Sequence, residues 1–74
     1  MQVTVRLFAT FRFGRFTEEK RDYPPGTRVA EVLEELQIRE GEVGMILLNN
    51  RHVEFDQSLS DAAALAIFPM VGGG

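Results

Sequence analysis

Val29, Val32, Leu33 and Leu36 stand at the i, i+3, i+4, i+7 spacing of one helical face, with Glu31, Glu34 and Glu35 outside it. This is the one clear helix of the sequence, so a core has to be completed by extended chain packed against a single apolar stripe. Pro24, Pro25 and Gly26 close off the segment before it, and Thr27 offers an N-cap hydroxyl. The helix is expected to end around Gln37 to Gly41.

The rest of the chain reads as short strands. From Gln2 to Phe8, Val3, Val5 and Leu7 alternate with Thr4 and Arg6, the pattern of a half-buried strand. Ala9 to Phe16 fits neither period and is expected to be a loop or short helical turn. Glu18 to Tyr23 is charged along much of its length, as suits an edge strand protected against further pairing. After the helix, Met45-Ile46-Leu47-Leu48 is an apolar run of buried-strand type. Asn49-Asn50 tolerates the positive φ of a tight hairpin turn, so Arg51 to Glu54 is expected to return as a short strand. Leu65 to Phe68 is the last strand, closed by Pro69. Two strands, one helix, two short strands and a final strand are satisfied by one helix packed across one mixed sheet of four to five strands, an α+β arrangement. Other small α+β folds share that element order.

Composition narrows the function. At 74 residues the chain is one domain, of a size that buries only about 60% of its unfolded surface and leaves no room for a large internal active site. Eight Lys and Arg against eleven Asp and Glu give a net charge of −3, so no overall field attracts nucleic acid or an anionic membrane. The absence of Cys excludes a disulfide scaffold and a thiolate metal site, and any thiol chemistry has to come from a partner. No apolar run approaches a membrane span, and Met1 leads directly into a strand rather than a basic and apolar leader, so the expected location is the cytoplasm.

The motifs then identify a relation. The opening Val3-Thr4-Val5-Arg6-Leu7-Phe8-Ala9, the helix entry Pro24-Pro25-Gly26-Thr27-Arg28-Val29 and the hairpin Leu48-Asn49-Asn50-Arg51-His52-Val53 resemble the MoaD/ThiS family of sulfur carriers. So do Asp56-Gln57-Ser58-Leu59-Ser60-Asp61 and the ending Ile67-Phe68-Pro69-Met70-Val71-Gly72-Gly73-Gly74. The likeness is closer to the small subunit of molybdopterin synthase than to the thiamin-pathway carrier. A Gly-Gly coinciding with the chain end, a short distance after an apolar strand, is its most specific element. The sequence departs from the family pattern in three places. Ala62-Ala63-Ala64 follows Asp61 where a Gly-Asp pair is usual, and a helical rather than tight turn is expected there. Met70 replaces the common second Pro of the tail, and Gly72 replaces a residue usually small or hydroxylated.

The resemblance implies a ubiquitin-like β-grasp domain over residues 1–69 and a flexible tail over residues 70–74. It implies a carrier and substrate rather than an enzyme: an E1-like adenylating enzyme activates the carboxylate of Gly74 with ATP and Mg²⁺, and a sulfur donor converts it to a thiocarboxylate. ATP and Mg²⁺ belong to that partner, and no cofactor is bound tightly by this chain. Gly73 and Gly72 give passage through a narrow cleft, because a Cβ restricts both backbone path and approach. Pro69, Met70 and Val71 set the exit direction. Carriers of this family dock through an apolar sheet surface beside the tail, for which Phe8 and Phe68 are candidates with Arg12 as a polar contact; plain core packing is the competing reading. The implied recipient is molybdopterin biosynthesis, with the synthase large subunit as a partner and thiamin or another sulfur pathway as alternatives. A noncovalent β-grasp interaction module and conjugation of Gly74 to lysines, as in ubiquitin, remain open.

Other residues carry weaker signals. Arg6, Arg12 and Arg15 among Phe8, Phe11, Phe13 and Phe16 have the composition of a base-stacking platform, but the acidic balance favours core Phe and solvated Arg. His52 lacks a Cys or second His to complete a transition-metal site. Asp56 and Asp61 suit Asx turns better than a catalytic pair, and Lys20, the only lysine, suits a solvated edge. No phosphate loop, nucleophile elbow or triad is present.

Overall fold

The alternating opening forms strand β1 (Gln2–Leu7), followed by a 3-10 turn (Ala9–Arg12) and the charged strand β2 (Glu18–Asp22). Helix α1 (Val29–Glu35) and a second 3-10 turn (Glu40–Glu42) precede β3 (Val43–Leu48), β4 (Arg51–His52) and β5 (Ala63–Pro69). These come from a computed structural model that describes residues 1–70; the expectations for Val71, Gly72, Gly73 and Gly74 fall outside the described residues.

One five-stranded sheet has the order β2-β1-β5-β3-β4. β1 is antiparallel to β2 and parallel to β5, while β3 is antiparallel to both β5 and β4. The register sets Val3 against Ala63, Val5 against Leu65 and Leu7 against Ile67. All six are buried, with Ile46 and Leu48 of β3 beside them. Val29, Val32 and Leu33 of α1 are fully buried and complete this core with Phe11, Tyr23, Ile38 and Leu59. A mixed sheet crossed by one helix is the ubiquitin-like β-grasp that the family resemblance implied, among the small α+β folds that the element order left open. Among the described residues no helix is long and apolar enough to cross a membrane.

Several local expectations are corrected. Thr27 is not the N-cap. Its buried hydroxyl donates to the Pro24 carbonyl at 2.7 Å, and Arg28 takes the cap position. The first helical N–H groups are met by another part of the chain: Val29 donates to the Gln57 carbonyl and Ala30 to that of Phe55. The Glu31 carboxylate accepts from the Arg28 N–H at 2.9 Å. At the other end, α1 stops at Glu35, leaving Leu36 only half-buried. Gln37 adopts a φ of 59°, Ile38 donates to the Leu33 carbonyl and Gln37 to that of Glu34. This is a Schellman closure, with buried Ile38 as its apolar contact. Arg15 reaches across to donate to the Leu36 and Gln37 carbonyls, placing a cation at a helix end whose last turn has no basic residue.

The Ala62-Ala63-Ala64 segment is not helical. Ala62 has a φ of 62° in a tight turn, and Ala63 already begins β5. Asn49 and Asn50 take the expected positive φ values, 52° and 67°. Asn49 also clips the start of β5 twice, its backbone N–H donating to the Ala64 carbonyl and its side-chain oxygen accepting from the Ala64 N–H.

Two outcomes follow from this packing. Leu65→Ala, at a fully buried position in the central strand, is expected to cost about 2–5 kcal/mol in chemical denaturation. The Tyr23 hydroxyl donates to Glu35 at 2.8 Å, and burial, reinforced by that carboxylate, raises its pKa from 10.0 to about 12. The protonated phenol is therefore favoured in the folded state, so its contribution is complete below pH 10.0 and lost as pH rises through about 12. Urea midpoints should fall across that alkaline window, and the fall should be smaller in Tyr23→Phe.

Candidate functional site

The side chains that alternate with the core form the opposite face of the sheet. Thr4 and Arg6 of β1 lie beside Ala64 and Ala66 of β5, and Met45 and Leu47 of β3 lie opposite Phe68 and Ala66. Ala66, Phe68, Met45 and Leu47 are half-buried, and among the described residues no helix covers this face, α1 being used on the other side. His52 borders it opposite Leu47, and Lys20 borders it opposite Thr4; both are exposed. Arg6 pairs with Glu18 at 2.6 Å on the surface, a contact of about 0–1 kcal/mol.

Phe8 and Phe68 meet where β1 and β5 leave the sheet. Their rings stack with centroids 4.1 Å apart and planes 11° from parallel, an arrangement that contributes about 0.5–1.5 kcal/mol beyond burial. Both are half-buried and neither belongs to the core. The Arg12 guanidinium lies 5.2 Å from the centre of the Phe8 ring, and its Nε donates to the Leu7 carbonyl at 2.7 Å. The three residues singled out as a docking group are thus brought together, with Arg12 held by a backbone carbonyl rather than left free.

Pro69 and Met70 continue from this pair. With Phe8, Ala9, Gly44, Met45 and Phe68 they line an apolar groove of about 410 Å³. On their other side lie Thr10, Phe11 and Glu42. Met70 is 56% exposed, yet its N–H donates to the Glu42 carbonyl at 2.9 Å. The remaining tail residues Val71, Gly72, Gly73 and Gly74 are outside the described residues.

The base-stacking platform is not assembled. Phe11 is in the core, Phe16 is half-buried beneath Arg21, and Phe13 is 75% exposed. Arg15 is engaged with the Phe11, Leu36 and Gln37 carbonyls. Asp61 forms no local Asx turn of the expected kind; its carboxylate accepts from the Gln2 N–H at 2.8 Å and ties the start of β1 to the turn before β5. No cluster of three metal-ligating side chains occurs among the described residues. Sequence reasoning missed Gly44, whose position directly beneath the Pro69–Met70 backbone was signalled only by a glycine inside an apolar strand run.

This geometry accords with the comparisons to known proteins. Among solved structures the chain is similar to a putative molybdopterin converting factor subunit 1 from Pyrococcus furiosus, at 32% identity over 96% of this chain and 99% of that one, with a TM-score of 0.78. It is also similar to the Haloferax volcanii HVO 2177 protein, at 30% identity over 100% of this chain and 87% of that one, with a TM-score of 0.80. In the complex of subunits 1 and 2 of the Helicobacter pylori 26695 molybdopterin-converting factor, a chain matches over its full length at 23% identity and a TM-score of 0.67, a likeness of fold. Among curated proteins none matches. The ThiS family model matches residues 5–74, from the middle of β1 through the tail, and the chain belongs to the ThiS family.

Proposed function

We propose that this chain is a sulfur carrier whose Gly74 cycles between carboxylate, acyl-adenylate and thiocarboxylate. The observation that carries the reading is the convergence of the Phe8–Phe68 pair, the apolar groove and the Pro69–Met70 root of a Gly-Gly tail at one end of the sheet. In the first step an oxygen of the Gly74 carboxylate attacks the α-phosphorus of ATP and pyrophosphate leaves. In the second, hydrogensulfide supplied by a sulfide-level donor attacks the acyl carbon, AMP leaves and the S–H proton is lost to solvent, so that one C–S bond replaces one C–O bond. The adenylating enzyme supplies the ATP and Mg²⁺ site and the donor supplies the sulfur. This chain supplies a docking face and an end without Cβ atoms to obstruct in-line approach.

Molybdopterin biosynthesis is the favoured recipient. Two neighbours named as molybdopterin converting factor subunits support that choice, and the complex from Helicobacter pylori supports a large-subunit partner. The same open sheet face suits both the activating enzyme and a synthase subunit, which then use it in turn. Glycines at positions 72, 73 and 74 and the short span of sequence between the groove and Gly74 favour the terminus, rather than the face alone, as the working part.

Intact mass after incubation with a ThiS/MoaD-activating enzyme, ATP, Mg²⁺ and a sulfur donor is expected to rise by the exchange of one oxygen for sulfur. A chain with one alanine appended after Gly74 should show no such gain. An unchanged wild-type mass with several competent activating enzymes, alongside retained partner binding, would favour a noncovalent docking module; adducts on lysines would favour a ubiquitin-like modifier. Phe8→Ala is expected to raise the KM for the carrier in this reaction by about thirtyfold, equivalent to about 2 kcal/mol of a buried interface anchor, with kcat little changed.

A further inference from the structure

The sheet has a register shift between β3 and β5 between Val43 and Met45, and Gly44 occupies it. A Cβ placed on Gly44 would lie 2.7 Å from the Pro69 carbonyl oxygen and 2.9 Å from Met70 Cα. These are backbone atoms, which cannot rotate aside as a side chain can. Gly44 is itself exposed, so the missing side chain serves no purpose in the core; the space it leaves is filled by the root of the tail. One residue before the shift, the Glu42 carbonyl accepts the Met70 N–H at 2.9 Å. Residues 42–44 therefore form a seat, with Gly44 as its floor and the Glu42 carbonyl as its fastening. A proline at position 70 has no N–H and could not use that fastening. Met70 does use it, which gives this departure from the family's tail a structural consequence. Irregularities of this kind re-aim a strand next to a functional site.

The geometry points to Gly44 as a positioning residue for the reaction of Gly74: by admitting the Pro69–Met70 backbone against β3, it fixes the point and direction from which the tail enters the activating enzyme. This rests on the carrier reading above. Gly44 touches no reacting atom and acts through Met70. Its contribution belongs to the alignment of the carboxylate after docking, whereas Phe8 and Phe68 contribute to docking itself, so the two kinds of substitution separate kinetically.

The test measures thiocarboxylate formation by intact mass against carrier concentration, with the activating enzyme, ATP, Mg²⁺ and sulfide, for wild type, Gly44→Ala and Met70→Pro. Gly44→Ala should lower kcat about tenfold or more with KM within about twofold, because a displaced near-attack geometry is costly even when binding is retained. Amide exchange at Met70 should quicken in Gly44→Ala while the β1 and α1 amides keep their protection. Met70→Pro removes the fastening without adding a Cβ beneath it. Although proline is common at this position in the family, the root of this chain is held through the Met70 N–H, so kcat should fall here too, which keeps the test decisive if Gly44→Ala fails to fold. Wild-type kcat in the folded variants, or a rise in KM alone, would overturn the positioning role while leaving the carrier reading intact. A wild-type chain that no competent enzyme activates would remove the carrier reading itself.

Discussion

The parallel pairing of β1 with β5 is the constraint on which the rest of the molecule depends. It joins the first and last strands at the centre of the sheet, with Val3, Val5 and Leu7 beside Ala63, Leu65 and Ile67. Because the strands are parallel, their C-terminal ends emerge on the same side. One end delivers Phe8 and the Arg12 turn, and the other delivers Phe68, Pro69 and Met70. An antiparallel pairing would carry Phe68 and the tail root to the opposite end of the sheet, away from the Phe8 ring and the Arg12 turn. The Phe8–Arg12 segment and the Phe68–Met70 segment are thus neighbours through topology, not through closeness in sequence.

That pairing is also an entropic burden. Closing a loop that spans nearly the whole chain costs more than forming a local hairpin, and the contacts that reward it are long-range ones. The chain offsets this with fastenings where the pairing begins. Asp61 holds the Gln2 N–H, Ala62 donates to the Gln2 carbonyl, and Asn49 holds Ala64 through both backbone and side chain. The short helix needs similar help. At seven residues α1 has too few internal hydrogen bonds to persist alone. Its entry is completed by the Phe55 and Gln57 carbonyls and its exit by the Ile38 closure and Arg15. One helix and one sheet consequently stabilise each other as a unit.

What was legible in the sequence follows the range of the interactions involved. β1, the helical stripe and the Asn49-Asn50 hairpin are set by alternation, by a 3.6-residue period and by tolerance of positive φ, and each can be read from a few adjacent residues. Thr27 has the chemistry of an N-cap but is drawn to the Pro24 carbonyl, because distant carbonyls at residues 55 and 57 already meet the helix N–H groups. Ala62 looks like a helix former, yet the parallel strand must begin at Ala63 and forces the turn to be tight. Phe8 and Phe68 were placed by the family resemblance; apolarity alone did not separate them from Phe11, which is core. Gly44 was invisible because its reason for being glycine lies at Pro69 and Met70, far along the chain.

The short span of sequence between the described fold and Gly74 also limits the geometry that a partner of the proposed carrier would have to meet. Met70 is the last residue hydrogen-bonded into the described fold, and Val71 to Gly74 follow it. Four residues reach at most roughly 14 Å when fully extended. On the proposed carrier reading, an enzyme acting on Gly74 would have to hold its reactive centre within that distance of the seat at residues 42–44, with the Phe8–Phe68 groove against its surface. Docking and chemistry are then coupled by chain length alone. A partner that gripped the groove would present its active site to the terminus, and one that missed the groove by more than the reach of the tail would have no access to it. On that proposal the apolar face would confer specificity on a reaction whose reacting group, a glycine carboxylate, carries almost no distinguishing features of its own.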